Sequence, residues 1–129
     1  MTRKKVFISF DYDHDLELKN SLLGQSMLDE SPFEIVDFSI KEAIDFNWKK
    51  FAREKIQRSD VVIFMCGHNT DTATGVASEL SMTRELKKPY FLLAGRSDKN
   101  NKKPSGALTT DKIYSWTWDN LKALLSGKR

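Results

Sequence analysis

The stretch "TDTATGVASELSMTRELKKP", Thr70 to Pro89, predicts a helix that carries two glutamates in very different places. At about 100° per residue, Val76, Leu80 and Thr83 share one arc, and Met82 and Leu86 extend it. Glu85 falls on the opposite, watery side, whereas Glu79 falls between Leu86 and Val76, inside the apolar arc. A carboxylate placed there is costly to desolvate. Position alone leaves two readings: a functional acid, or one half of a structural ion pair. A third, stabilisation by the helix dipole, fades beyond the first turn.

Two further stretches hold side chains capable of chemistry. "FDYDHD" places Asp11, Asp13 and Asp15 together, and "CGHNTDTATG" supplies Cys66, Gly67, His68 and Asn69. Acids like the first set hold Mg²⁺ in receiver-type phosphorylation domains, but those also need an aspartate in the second stretch, and "FMCGHN" has none. His14, Cys66 and His68 lack the tight local spacing of a zinc site, so no metal is expected. Asp13 or Asp15 equally suits a helix cap. Gly67 permits a close backbone approach to a ligand or merely a turn. "HNTDTATG" opens a helix whose amides suit a pyrophosphate, though it is no dinucleotide fingerprint.

The elements that must position these residues alternate. "KKVFIS" is a strand, "DYDHDLELKNSLLGQ" a helix with Gly24 as its stop, and "FEIVDFS" a second strand. "NWKKFAREKIQRS" is an amphipathic helix capped by Asn47, with Trp48, Phe51, Ala52 and Ile56 on one face. "DVVIFMCG" is a continuous apolar run, the mark of a strand covered on both faces. After the Glu79 helix come the strand "YFLLAG", a polar and solvated loop "RSDKNNKKPSG", a short edge strand in "KIYSW", and a helix "TWDNLKALLSG" with Thr117 as cap and Gly127 as stop. This order predicts an α/β, flavodoxin-like three-layer sandwich on a parallel five-stranded sheet, order 2-1-3-4-5, filling residues 1–129 as a single domain. Ligands of such sheets bind beyond the carboxyl ends of the first and third strands. Those ends are "FDYD" and "CGHNT", with Glu79 one to two turns below them.

Composition narrows the function classes. The 129 residues carry a net charge of +3, with lysines scattered rather than clustered, which does not point to nucleic acid. The longest apolar run, Val61 to Cys66, is far too short to span a bilayer. One cysteine makes no internal disulfide, and the N-terminal stretch lacks a signal-peptide cleavage pattern, so a cytoplasmic location away from membranes is expected.

"KVFISFDYDHD", "WKKFAREKIQRSDVVIFMCGHNT", "SEL…LKKPYFLL" and "YSWTWDNLKALL" resemble, in order and across nearly the whole chain, the TIR-like domain of the Thoeris ThsB type, within the TIR superfamily. The resemblance implies the same flavodoxin-like fold and a catalytic glutamate on the helix after strand three, here Glu79. It implies cleavage of NAD, as substrate rather than cofactor, at the nicotinamide–ribose bond. The products would be nicotinamide and an ADP-ribose or cyclic ADP-ribose signal that switches on a partner effector in anti-phage defence. Self-association through the loop "SIKEAIDFN" is implied as well, as is a site shared between neighbouring chains. Family members commonly carry a tryptophan four residues before the glutamate; here that place is Gly75. "DTATGVASEL…KKP" is also similar to a run in nucleoside deoxyribosyltransferases, whose glutamate attacks the anomeric carbon of a nucleoside. A non-catalytic interaction module is the remaining class.

Both resemblances lead to one chemistry. Breaking an N-glycosidic bond builds positive charge on the ribose, which a carboxylate beside the anomeric carbon stabilises or attacks. The effect is strongest in a partly dry pocket. Glu79 is then the expected catalytic residue, Phe10 walls the nicotinamide and Asp11 lies near the ribose hydroxyls. Asp13, Gly67, His68, Asn69, Thr74, Gly75 and Ser78 complete the expected substrate-binding set.

Overall fold

Five parallel strands form the sheet in the order β2-β1-β3-β4-β5, the order expected from the alternation of elements. The computed structural model describes residues 3–36, 48–96 and 100–127. Strand β1 (Lys4–Ser9) leads to helix α1 (Leu16–Ser26), β2 (Phe33–Ile35), α2 (Trp48–Arg58) and β3 (Val61–Cys66). A 3₁₀ turn (Thr70–Thr72), α3 (Thr74–Glu85), β4 (Tyr90–Ala94), β5 (Ile113–Tyr114) and α4 (Trp118–Leu125) complete the chain. Strand β3 is buried at all six positions, as its unbroken apolar run demands of a central strand.

Side chains alternate across the sheet and build two apolar layers. Val6, Ile8, Ile63, Met65 and Leu93 pack against Leu18 and Leu22 of α1 and Leu121, Leu124 and Leu125 of α4. Phe7, Val62, Phe64, Cys66 and Leu92 pack on the other face against Ala52 and Ile56 of α2 and Val76, Leu80 and Met82 of α3. The parity matters for the site. Ser9 shares the face of Phe7, so it looks toward α3, while Phe10 packs against the α1 layer.

Several local expectations change. The predicted Thr70–Pro89 helix is two pieces, because Ala73 is extended at ψ 101° and breaks the run between the 3₁₀ turn and α3. Helix α3 ends at Glu85, well before Pro89. Lys87 takes a left-handed φ of 56°, its N–H reaching the Arg84 carbonyl and the Lys88 N–H the Thr83 carbonyl, a Schellman-type stop. Gly24 lies inside α1 and does not stop it. Asp15 stands at the cap position of α1 without a side-chain cap bond, its carboxylate being drawn to Arg96 instead. Phe51 is exposed although Ala52 and Ile56 of the same helix are fully buried. The Thr117 cap holds, accepting from the Asn120 N–H at 3.1 Å, and Gly127 follows α4 at φ 81°. The side chain of Trp48, the Asn47 cap, the second half of the "FEIVDFS" strand from residue 37, and the whole loop "SIKEAIDFN" lie outside the described residues. No helix among the described residues is long and apolar enough to cross a membrane.

Candidate active site

At the carboxyl end of β1 a serine hydroxyl meets a buried carboxylate. Ser9 is fully buried, Glu79 is 3% exposed, and Ser9 Oγ donates to Glu79 Oε1 at 2.5 Å. Strand pairing fixes one partner, since Ser9 aligns with Phe64 of the central strand. Helical phase fixes the other, since Val76, Glu79, Leu80, Met82 and Thr83 are the buried residues of α3. Thr83 Oγ1 also donates to the Glu79 carbonyl at 2.7 Å, so backbone and side chain of Glu79 are both engaged. Glu79 is the sixth residue of α3, deeper than the turn in which the helix dipole acts.

The "FDYDHD" loop above it is a built turn. Asp11, 7% exposed, accepts from the Asp13 N–H through Oδ1 at 3.2 Å and contacts His14 Nδ1 through Oδ2 at 2.7 Å. The Asp11 carbonyl accepts from the backbone of His14 and Asp15. The hydrogen bond to Asp11, and then its charge, raise His14 above the ordinary histidine range. Phe10 is half-buried, 5.9 Å from the Tyr12 ring, with the Lys19 ammonium 6.0 Å from its centroid. Asp13 is exposed.

On the third strand, the Gly67 N–H donates to Thr70 Oγ1 at 2.7 Å and closes the turn that leads to α3. An added Cβ at Gly67 would run into the Asp15 carboxylate, so this position needs glycine for a close approach within the chain. His68, Asn69 and Thr74 are exposed, and Gly75 and Ser78 are half-buried near the start of α3. Cys66 is buried, and burial, helped by the Asp15 charge, pushes its thiol up to about 12; it is a packed strand-end residue rather than a reactive thiol. Among the described residues no cluster of His, Cys, Asp and Glu is arranged to hold a metal.

Sequence reasoning missed two residues. Ser9 was signalled only by strand parity, which puts it on the α3 face. Arg96 begins the loop expected to be merely polar and solvated, yet it ties that loop to the start of α1 and the turn before it. Its Nη2 donates to Asp15 Oδ1 at 2.8 Å, Glu17 Oε1 at 2.8 Å and the His14 carbonyl at 2.9 Å. Asn101 bridges the Arg96 backbone on both sides, at 3.0 Å from its N–H and 2.8 Å from its carbonyl. Lys102 N–H then reaches the Gly67 carbonyl at 2.9 Å. The loops after β1, β3 and β4 are thereby braced around the mouth above Glu79. The remaining stretch of that loop, residues 97–99, lies outside the described residues.

Comparisons with known proteins bear on the fold and the family of the chain. A solved structure of the Clostridium botulinum CMP N-glycosidase BcmB superposes with a TM-score of 0.54 at 17% identity, covering 96% of each chain, which is a likeness of fold. No curated protein sequence matches the chain. The profile of the TIR-like domain of Thoeris protein ThsB matches residues 7–102, which include the second half of β1, the Ser9–Glu79 pair and the Arg96 brace. The chain belongs to the family of Thoeris ThsB TIR-like domains.

Proposed function

We propose that this protein cleaves the N-glycosidic bond of a nucleotide, with Glu79 as the catalytic carboxylate and NAD as the substrate. The observation that carries the reading is the buried Ser9–Glu79 contact of 2.5 Å at the carboxyl end of β1, beside the β1–β3 switch point. Membership of the ThsB TIR-like family and the fold shared with a CMP N-glycosidase support the same class of bond.

The mechanism follows from the placement. The Ser9 hydroxyl fixes one oxygen of Glu79 and so its orientation. As the C1′–N bond breaks, its electron pair leaves with nicotinamide, which departs neutral. The ribose becomes cationic, and Glu79 stabilises that charge or bonds to C1′. Water then gives ADP-ribose, or a second nucleophile of the same nucleotide gives a cyclic product. That product is the signal to which a partner effector in a Thoeris-type defence system responds. Gly75 stands one turn before Glu79, where the family commonly has tryptophan. A neighbouring copy of the chain supplies the missing wall, so activity depends on self-association.

Incubating the purified chain with NAD and following nicotinamide release, with mass analysis of the second product, tests the reading. Release of nicotinamide together with ADP-ribose or its cyclic form is expected. Specific activity should climb with protein concentration, and Gly75→Trp should flatten that climb. Intact NAD at high protein concentration, with the fold verified, contradicts the proposal.

A further inference from the structure

The far edge of the sheet holds a cavity that the chemistry of Glu79 does not use. It measures about 550 Å³, within the range of small-molecule sites, and neither Ser9 nor Glu79 lines it. It opens at the carboxyl ends of β4 and β5. Gly95, Ile113 and Trp116 supply its apolar surface, and Arg96, Asn101 and Ser115 its polar side chains. Most of that polarity is already engaged. The Trp116 ring N–H donates to Gln25 Oε1 at 2.9 Å, which leaves the flat face of the indole for a ligand. Asn101 is tied at both ends to the Arg96 backbone. The side-chain bonds of Arg96 all run through Nη2, to the His14 carbonyl, Asp15 and Glu17. Among the described residues its Nε and Nη1 therefore meet no acceptor, and neither is buried without one. What remains on offer is a flat apolar face with N–H and O–H donors from Arg96 and Ser115. The matching ligand is a flat ring with acceptor atoms on its edge.

Charge decides between a neutral ring and an anionic one. Arg96 touches two carboxylates, Asp15 and Glu17, each at 2.8 Å, so its single positive charge is outweighed. An anion in the cavity would meet that negative surplus, whereas a neutral acceptor would not. We propose that the cavity binds a neutral heteroaromatic base, a pyridine carboxamide or a free nucleobase, stacked on Trp116 with an acceptor atom at Arg96. Such bases are the class of product that N-glycosidic cleavage releases. That link alone rests on the reading of Glu79 given above; the binding does not. The guanidinium that meets the ligand also holds the His14 carbonyl and Asp15, so occupancy is felt in the loop after β1.

The test is an NMR titration of the whole chain with nicotinamide, adenine and nicotinate. Nicotinamide and nicotinate share a ring and differ in charge. Nicotinamide or adenine is expected to shift the Trp116 indole N–H and the Gly95 amide, with the His14 and Asp15 amides following. The tighter of the two bases identifies the kind of ring preferred. Nicotinate should bind about tenfold more weakly than nicotinamide, or worse. Ser115→Phe fills the cavity and should abolish the shifts. Ser115 is exposed, and its carbonyl keeps its bonds to the Thr117 N–H and Asn120 Nδ2, so the rest of the spectrum should stay in place. No shift with either base, nicotinate binding as tightly as nicotinamide, or the same shifts in a folded Ser115→Phe overturns the proposal. The titration measures no turnover, so these results leave the reading of Glu79 standing, and intact NAD in the cleavage assay leaves this site standing.

Discussion

Helix α3 carries two glutamates six positions apart, and the protein treats them as different kinds of residue. Glu85 is exposed, with its side chain at 59%, and reaches Arg53 of α2 at 2.6 Å. Glu79 is 3% exposed and sits against the Ser9 hydroxyl at the end of β1. A surface pair such as Arg53–Glu85 contributes at most about 1 kcal/mol, because solvent screens it and two flexible side chains must be ordered. A carboxylate buried among Val76, Leu80 and Met82 is costly to desolvate, so stability alone does not explain it. Sites held against the preference for stability are the ones where function is found. The same element thus shows one carboxylate in solvent and one buried, and the proposed chemistry is assigned to the buried one.

The sharpest way to break this contrast is Glu79→Gln. It keeps the shape and an oxygen for Ser9 but removes the charge. Turnover should fall by about 10³-fold or more, with melting temperature unchanged or raised. A fall in stability with activity retained would make Glu79 a structural residue like its neighbour.

Arg96→Met offers a control at another buried carboxylate. Asp15 is 1% exposed and would lose its guanidinium. Breaking a fully buried pair costs about 3–5 kcal/mol; with Arg96 29% exposed, about 2–3 kcal/mol is expected in denaturant unfolding. Because Arg96 also holds the loop after β1, activity should fall alongside stability, in contrast to Glu79→Gln, where the two separate.

Ser9→Ala probes the partner of Glu79. It leaves a buried carboxylate short of one donor, a loss of about 1–3 kcal/mol. Activity should drop roughly tenfold or more, and Ser9→Thr should restore part of it. Activity equal to wild type in Ser9→Ala would detach the hydroxyl from the chemistry. Glu85→Gln gives the smallest effect: turnover unchanged, and stability lower by no more than about 1 kcal/mol. A large loss of activity there would erase the distinction between the two glutamates.

Much of this was legible in the residues. The apolar run Val61–Cys66 announces a strand covered on both faces, and the alternation of strands and helices leads to the observed 2-1-3-4-5 order. Glu79 was legible because helical phase is local: its burial follows from its spacing to Val76, Leu80 and Thr83. The break at Ala73 was not, because it depends on the turn that Thr70 closes onto Gly67. Nor was Phe51, whose helical phase matches buried neighbours although it stands exposed. Ser9 and Arg96 were hidden for a different reason. A serine ending a strand and an arginine opening a polar loop are ordinary alone; their meaning lies in partners 70 and 81 residues away.

The most direct test of the central claim is the crystal structure of Glu79→Gln soaked with NAD. The ribose C1′ should lie about 3–3.5 Å from the residue-79 side chain, at the mouth formed by the loops after β1 and β3. A nucleotide seated instead in the roughly 550 Å³ cavity lined by Gly95, Arg96, Ser115 and Trp116 at the far edge of the sheet, with residue 79 untouched, would contradict it.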